Sequence, residues 1–183
     1  MKNKAKNTKL IIGAAALLFL FFRATKKKNE AMPISDENIK EALRKIYNEF
    51  GREKTERLEQ LFRWETNHFK SGQFRGSGSP GMEPSPNNNK VFPFGWTSLK
   101  NFSNAYNIPS GAFFISGPYT EGGTNKQKYF VGFPNLYASM LFVMYVIGRR
   151  GWNFGKWRAF DETIAADYNN KLNTVIPRIT NTF

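Results

Sequence analysis

The run Arg63-Trp64-Glu65-Thr66-Asn67-His68-Phe69-Lys70-Ser71-Gly72-Gln73-Phe74 sets one carboxylate among aromatic neighbours. Helical spacing puts Glu65 on the face of Leu58, Leu61, Phe62 and Phe69, so a carboxyl interrupts an apolar stripe. An apolar setting disfavours the charged form, and the pKa is expected to rise. A carboxyl that keeps its proton near neutral pH can pass it to a leaving oxygen, the acid half of glycosidic bond cleavage. The plainer alternative is a helix-end carboxylate paired with Arg63 or Lys70.

A Gly/Ser/Pro/Asn-rich loop follows, and then Phe92-Pro93-Phe94-Gly95-Trp96. Trp64, Phe94 and Trp96 are either core aromatics or platforms for sugar rings. His68 stands in an E-x-x-H spacing with Glu65, a pattern that di-iron bundles use twice. With one His and no Cys in the chain, a multi-histidine metal centre and a thiolate zinc site are both excluded. His68 then reads as a helix-end polar residue or as a partner of Glu65, and no cofactor is expected. Gly76-Ser77-Gly78-Ser79-Pro80-Gly81 lacks the Lys-Ser/Thr ending of a phosphate-binding loop.

The elements that must position Glu65 are mainly helical. Ser35 is an N-cap, Asp36 and Glu37 suit the first turn, and Ile39, Leu43, Ile46, Tyr47 and Phe50 recur at helical spacing before Gly51. A second helix is expected from about Lys54 to Phe69. Ser71 to Pro93 is too rich in breakers for regular structure. A short helix is expected over Thr97 to Tyr106, and a hairpin from Ala112–Ser116 and Tyr129–Phe133. Leu136 to Ile147 is apolar nearly all round and should be the central helix. Helices around Asn153–Phe160 and Thr163–Ile176 complete an α+β, mainly α body, with Pro177 as the stop.

The N-terminus has a different character. Leu10 to Phe22 is an unbroken apolar run between Lys9 and Arg23. As a helix it spans about 20 Å, and snorkelling Lys and Arg side chains extend that reach toward the ~30 Å hydrocarbon core. A single membrane anchor over residues 10–23 is the favoured reading. The segment also has the length of a signal peptide, but it lacks a small-x-small cleavage site. A buried core helix is the third option, which the flanking lysines oppose. Residues 1–9 form a basic N-terminus, 24–34 a tether and 35–183 the folded domain. Basic residues flank the run equally, so charge does not orient it.

The chain carries a net +13, with 27 basic and 14 acidic side chains. Residues 1–28 hold eight of the basic residues and no acid, leaving the remainder only mildly basic. Arg149-Arg150 and Lys156-Trp157-Arg158 resemble a basic-aromatic surface but read more simply as solvated helix ends. No motif supports a nucleic-acid partner.

Taken together, the body from about Asp36 to Val175 resembles the lysozyme-like superfamily, in particular phage and bacterial lytic transglycosylases and flagellar-type glucosaminidases. The resemblance rests on a helix ending in Glu65, the Gly-rich loop, the Phe94-Gly95-Trp96 block and the hairpin. Tyr129-Phe130-Val131-Gly132-Phe133 before an apolar helix and a late helix with Tyr168-Asn169-Asn170-Lys171-Leu172 continue the match. It implies that Glu65 is the catalytic acid, that the Phe94–Trp96 block lines a cleft and that Tyr168 is a cleft tyrosine. Trp64 and His68 are the further candidate substrate-binding residues. Many transglycosylases follow this Glu with Ser, and here it is Thr66.

The resemblance further implies that a transglycosylase can dispense with a second carboxylate, because the substrate's own hydroxyl attacks. If one is needed, Glu83, Glu121 and Asp161 are the available acids. The expected function is a membrane-anchored peptidoglycan-degrading glycosidase that opens the cell wall locally. Its expected partners are peptidoglycan strands, a lipid membrane and virion or secretion-apparatus proteins. It would sit at the internal membrane of a virion or at the bacterial inner membrane. The rival expectation is a non-catalytic anchored virion protein that holds glycan or DNA.

Overall fold

The computed structural model describes residues 34–84, 97–120 and 125–183. All fall within Ala31–Phe183, one of the two units into which the chain divides. The anchor expected at 10–23, together with Phe94 and Trp96, lies outside the described residues. Among the described residues no helix is long and apolar enough to cross a membrane.

Helix α1 (Asp36–Phe50) starts where the Ser35 hydroxyl accepts from the Asn38 amide at 3.2 Å. It buries Ile39, Ala42, Leu43 and Ile46. Gly51 breaks it with φ +81°, a left-handed value that costs glycine little. Helix α2 (Arg52–Glu65) follows and buries Leu58, Leu61 and Phe62. Helix α5 (Leu136–Gly148) is the central helix expected from its composition; most of its residues are buried, and it packs against α1. The Asn135 side chain caps it by accepting from the Ala138 amide at 2.8 Å.

Around these lie α4 (Thr97–Ala105) and the antiparallel pair β1 (Phe114–Thr120) and β2 (Gln127–Gly132). A 3-10 turn over Phe154–Trp157 precedes α6 (Glu162–Asn173), which the Asp161 side chain caps. Among the described residues the body is mainly helical with one small two-stranded sheet.

Three expectations need correction. The second helix ends at Glu65 and does not reach Phe69. The helix expected around Asn153–Phe160 is only the 3-10 turn. The Gly/Ser stretch forms a short helix, α3 (Gly72–Ser77), followed by a buried strap through Ser77, Ser79 and Pro80. Polar residues build that strap because their hydroxyls replace missing backbone partners. Ser71 Oγ accepts from the Phe74 amide at 3.2 Å, Ser77 Oγ from the Ser79 amide at 3.0 Å and Ser79 Oγ from the Met82 amide at 2.9 Å.

Candidate functional site

Glu65 is the last residue of α2, and the chain behind it makes an uncommon turn. Asn67, His68 and Phe69 have φ of +48°, +56° and +68°, three successive non-glycine residues in the left-handed region. Two features hold them there. The buried Thr66 hydroxyl donates to the Phe62 carbonyl and accepts from the Phe69 amide at 2.9 Å. The Phe69 ring packs on Phe74 at 5.6 Å and Phe62 at 6.4 Å between centroids. The turn ends the helix at Glu65 and sends the chain back over it.

The strap then closes on Glu65. Its course is fixed by three ties: the Val131 amide donates to the Met82 carbonyl at 2.8 Å, the Phe133 amide to the Ser77 carbonyl at 3.2 Å and Ser139 Oγ to the Gly78 carbonyl at 2.6 Å. Gly81 lies at φ +99°, and a Cβ there would stand 3.7 Å from Glu65 Oε2. One carboxylate oxygen therefore faces the Gly81 backbone.

The other oxygen, Oε1, accepts a hydrogen bond from the Tyr168 hydroxyl. Tyr168 belongs to α6, whose register against α2 is set by Arg57. The Arg57 guanidinium donates to Asn173 Oδ1 at 2.6 Å and to Asn169 Oδ1 at 2.9 Å. Gln60 adds a bond to the Val175 carbonyl at 2.9 Å. Asn169 in turn holds Asn153 at 2.8 Å, and Asn153 caps the 3-10 turn. Gly155 in that turn lies so close to the α6 backbone that a Cβ would collide with the Ala165 carbonyl. This close approach carries Trp157 and Arg158 to the side of Glu65.

The result is an open cleft of about 220 Å³, lined by Glu65, the strap residues Pro80 to Glu83, Ser98 of α4, Phe142 and Val146 of α5, and Arg150, Trp157 and Arg158. Burial pushes the Glu65 carboxyl above its ordinary value. The Tyr168 hydrogen bond and the Arg158 charge pull it back part of the way. The Tyr168 hydroxyl is itself pushed far up, by burial and then by the neighbouring carboxylate, so it serves as a fixed donor. The arrangement is a half-buried acid, oriented by a tyrosine, at the floor of a cleft with an aromatic and cationic wall.

Of the sequence candidates, the structure brings Glu65 and Tyr168 into contact. Trp64 and His68 line a different hollow of about 420 Å³, with Arg63, Asn67, Thr174, Val175, Ile176 and Arg178. They follow from helix phase: Trp64 is one residue from Glu65, about 100° around the helix, and is 44% exposed. Among the named acids, Glu83 lines the Glu65 cleft and pairs with Lys128 at 2.9 Å. Asp161 is spent on capping α6, and Glu121 lies outside the described residues. Sequence reasoning set aside Arg150, Trp157 and Arg158 as solvated helix ends. The Asn153-Phe154-Gly155 triplet, an Asn two residues before a Gly, was the available sign of a fixed turn there.

No protein-family model matches the chain, and no curated protein or solved structure matches it.

Proposed function

We propose that the chain is a membrane-anchored peptidoglycan-degrading glycosidase of the lytic transglycosylase type with a lysozyme-like body. The observation that carries this reading is the Glu65 carboxyl, raised by burial and held by Tyr168 at the floor of an open cleft.

In the proposed mechanism, protonated Glu65 gives its proton to the glycosidic oxygen as the bond to the anomeric carbon breaks. The leaving strand departs as a neutral alcohol, and positive charge develops on the ring. The Glu65 carboxylate next takes the proton from the sugar's own C6 hydroxyl as that oxygen bonds to the anomeric carbon. The products are a 1,6-anhydro end and a regenerated acid, with no water consumed. Tyr168 keeps Oε1 in place through both steps. Glu83, tied to Lys128, has no essential part in this route. Residues 10–23 would hold the enzyme at a membrane, and a cell-wall-opening component of a virion or secretion apparatus fits that arrangement.

The test is clearing of a cell-wall suspension by the full chain. Wild type and Glu83→Gln should clear it, and Glu65→Gln should not. Equal clearing by Glu65→Gln would remove the acid role. Glycan binding without cleavage in wild type would favour the rival reading of a structural, non-catalytic virion protein.

A further inference from the structure

Among the described residues, Arg150 and Arg158 are the cationic side chains of the cleft wall. Arg150 is held in place from two sides: its Nη1 donates to the Lys156 carbonyl, and its guanidinium lies 4.2 Å over the Phe160 ring. Among the described residues no carboxylate pairs with it. Half-buried as it is, burial pulls its pKa below the ordinary arginine value, yet a guanidinium stays charged at neutral pH. The cleft thus contains a partly desolvated, pre-oriented cation that has no carboxylate partner among the described residues, and an arriving anion would offset that burial. A guanidinium offers five donors in a planar fork, and Arg150 spends one of them on Lys156. The remaining edge suits a carboxylate.

The rest of the lining points the same way. Of the two acids among the described lining residues, Glu83 is already matched by Lys128, and Glu65 is held by Tyr168. Trp157 lines the wall, and Phe160, backed by Arg150, is 72% exposed. A saccharide ring has an apolar face for such aromatics.

We propose that the cleft prefers an anionic saccharide and that Arg150 and Arg158 receive a free carboxylate on a sugar beside the scissile bond. This rests on the glycan-cleaving reading of Glu65 and adds specificity to it. The preferred substrate is a glycan strand whose lactyl ethers end in free carboxylates, over the same strand with those carboxylates masked as amides or esters. An anion bound at Arg158 also cancels the positive charge that draws the proton off Glu65, so the correct substrate keeps the acid protonated.

The test is calorimetric binding to the full chain carrying Glu65→Gln, which holds substrate without turnover. The probes are a muramic-acid-containing tetrasaccharide with free lactyl carboxylates, its methyl ester and neutral chitotetraose. The free acid should bind about tenfold more tightly than the ester, the effect of one bidentate charge-assisted contact. Adding Arg158→Gln or Arg150→Gln should shrink that ratio toward one. Arg158 is exposed, so its variant stays interpretable if Arg150→Gln proves unstable to heating. Equal binding of acid and ester, or a preference that survives Arg158→Gln, overturns the proposal. Binding of no saccharide at all overturns the glycan-cleaving reading beneath it.

Discussion

The Tyr168 hydroxyl donates to Glu65 Oε1 across a sequence separation of 103 residues, joining the end of α2 to the middle of α6. The contact lets one side chain set both the direction and the acidity of the other. A tyrosine hydroxyl that donates to a carboxylate favours its charged form, whereas burial disfavours it, and for Glu65 burial is the larger effect.

Tyr168→Phe removes the donor and leaves the ring. The Glu65 pKa should then rise further, and the loss of activity at high pH, where the acid deprotonates, should move to higher pH. The turnover rate at the optimum should fall about tenfold, the effect of losing roughly 1.4 kcal/mol of orientation. A pH–rate profile of the two enzymes checks both points.

Glu65 also links pH to stability. Its folded pKa lies above the unfolded value, so its favourable contribution is complete below the unfolded pKa and is lost as pH rises through the folded one. Glu65→Gln cannot ionise. Its melting temperature should therefore gain on wild type as pH rises from about 4 to about 8, and a constant difference across that range would contradict the buried-acid account.

Glu59 holds the C-terminus. It is fully buried, pairs with Arg63 at 2.6 Å and accepts from the Ile179 amide at 2.9 Å and the Thr180 amide and hydroxyl, each at 2.7 Å. Glu59→Ala leaves Arg63 and two amides without their acceptor and should cost about 3–5 kcal/mol. Denaturant unfolding gives the size, and hydrogen exchange should show residues 178–183 opening first.

How far these features could be read from the chain depended on their range. Helix α1 was legible because cap, periodicity and stop agree locally, and the central α5 because Leu136 to Ile147 is apolar nearly all round. The anomaly of Glu65 was legible from helix phase alone, although the residue that orients it lies in another helix and was reached only through a family resemblance. The end of α2 was misplaced because a left-handed turn built from Asn67, His68 and Phe69 has no glycine to announce it. Tertiary packing of Phe69 and the Thr66 hydroxyl outweigh the local penalty. Trp157 and Arg158 were invisible as cleft residues because a non-local approach, Gly155 against Ala165, puts their segment there.

The left-handed turn offers its own check. His68 is exposed at φ +56°, so His68→Gly exchanges a strained backbone for a tolerant one. After the entropy that glycine loses, the change should stabilise the fold by roughly 0.5–1 kcal/mol. Because His68 lines the hollow apart from Glu65, cleavage should be unchanged. A large fall in activity with the fold intact would instead make it a substrate contact.

The most direct measurement is the chemistry of the released ends. Full chain and its Glu65→Gln variant are incubated with purified peptidoglycan, and soluble fragments are analysed by mass spectrometry. The account predicts 1,6-anhydro-muropeptides from wild type and none from a folded Glu65→Gln. Fragments from both proteins, or from neither, would contradict it.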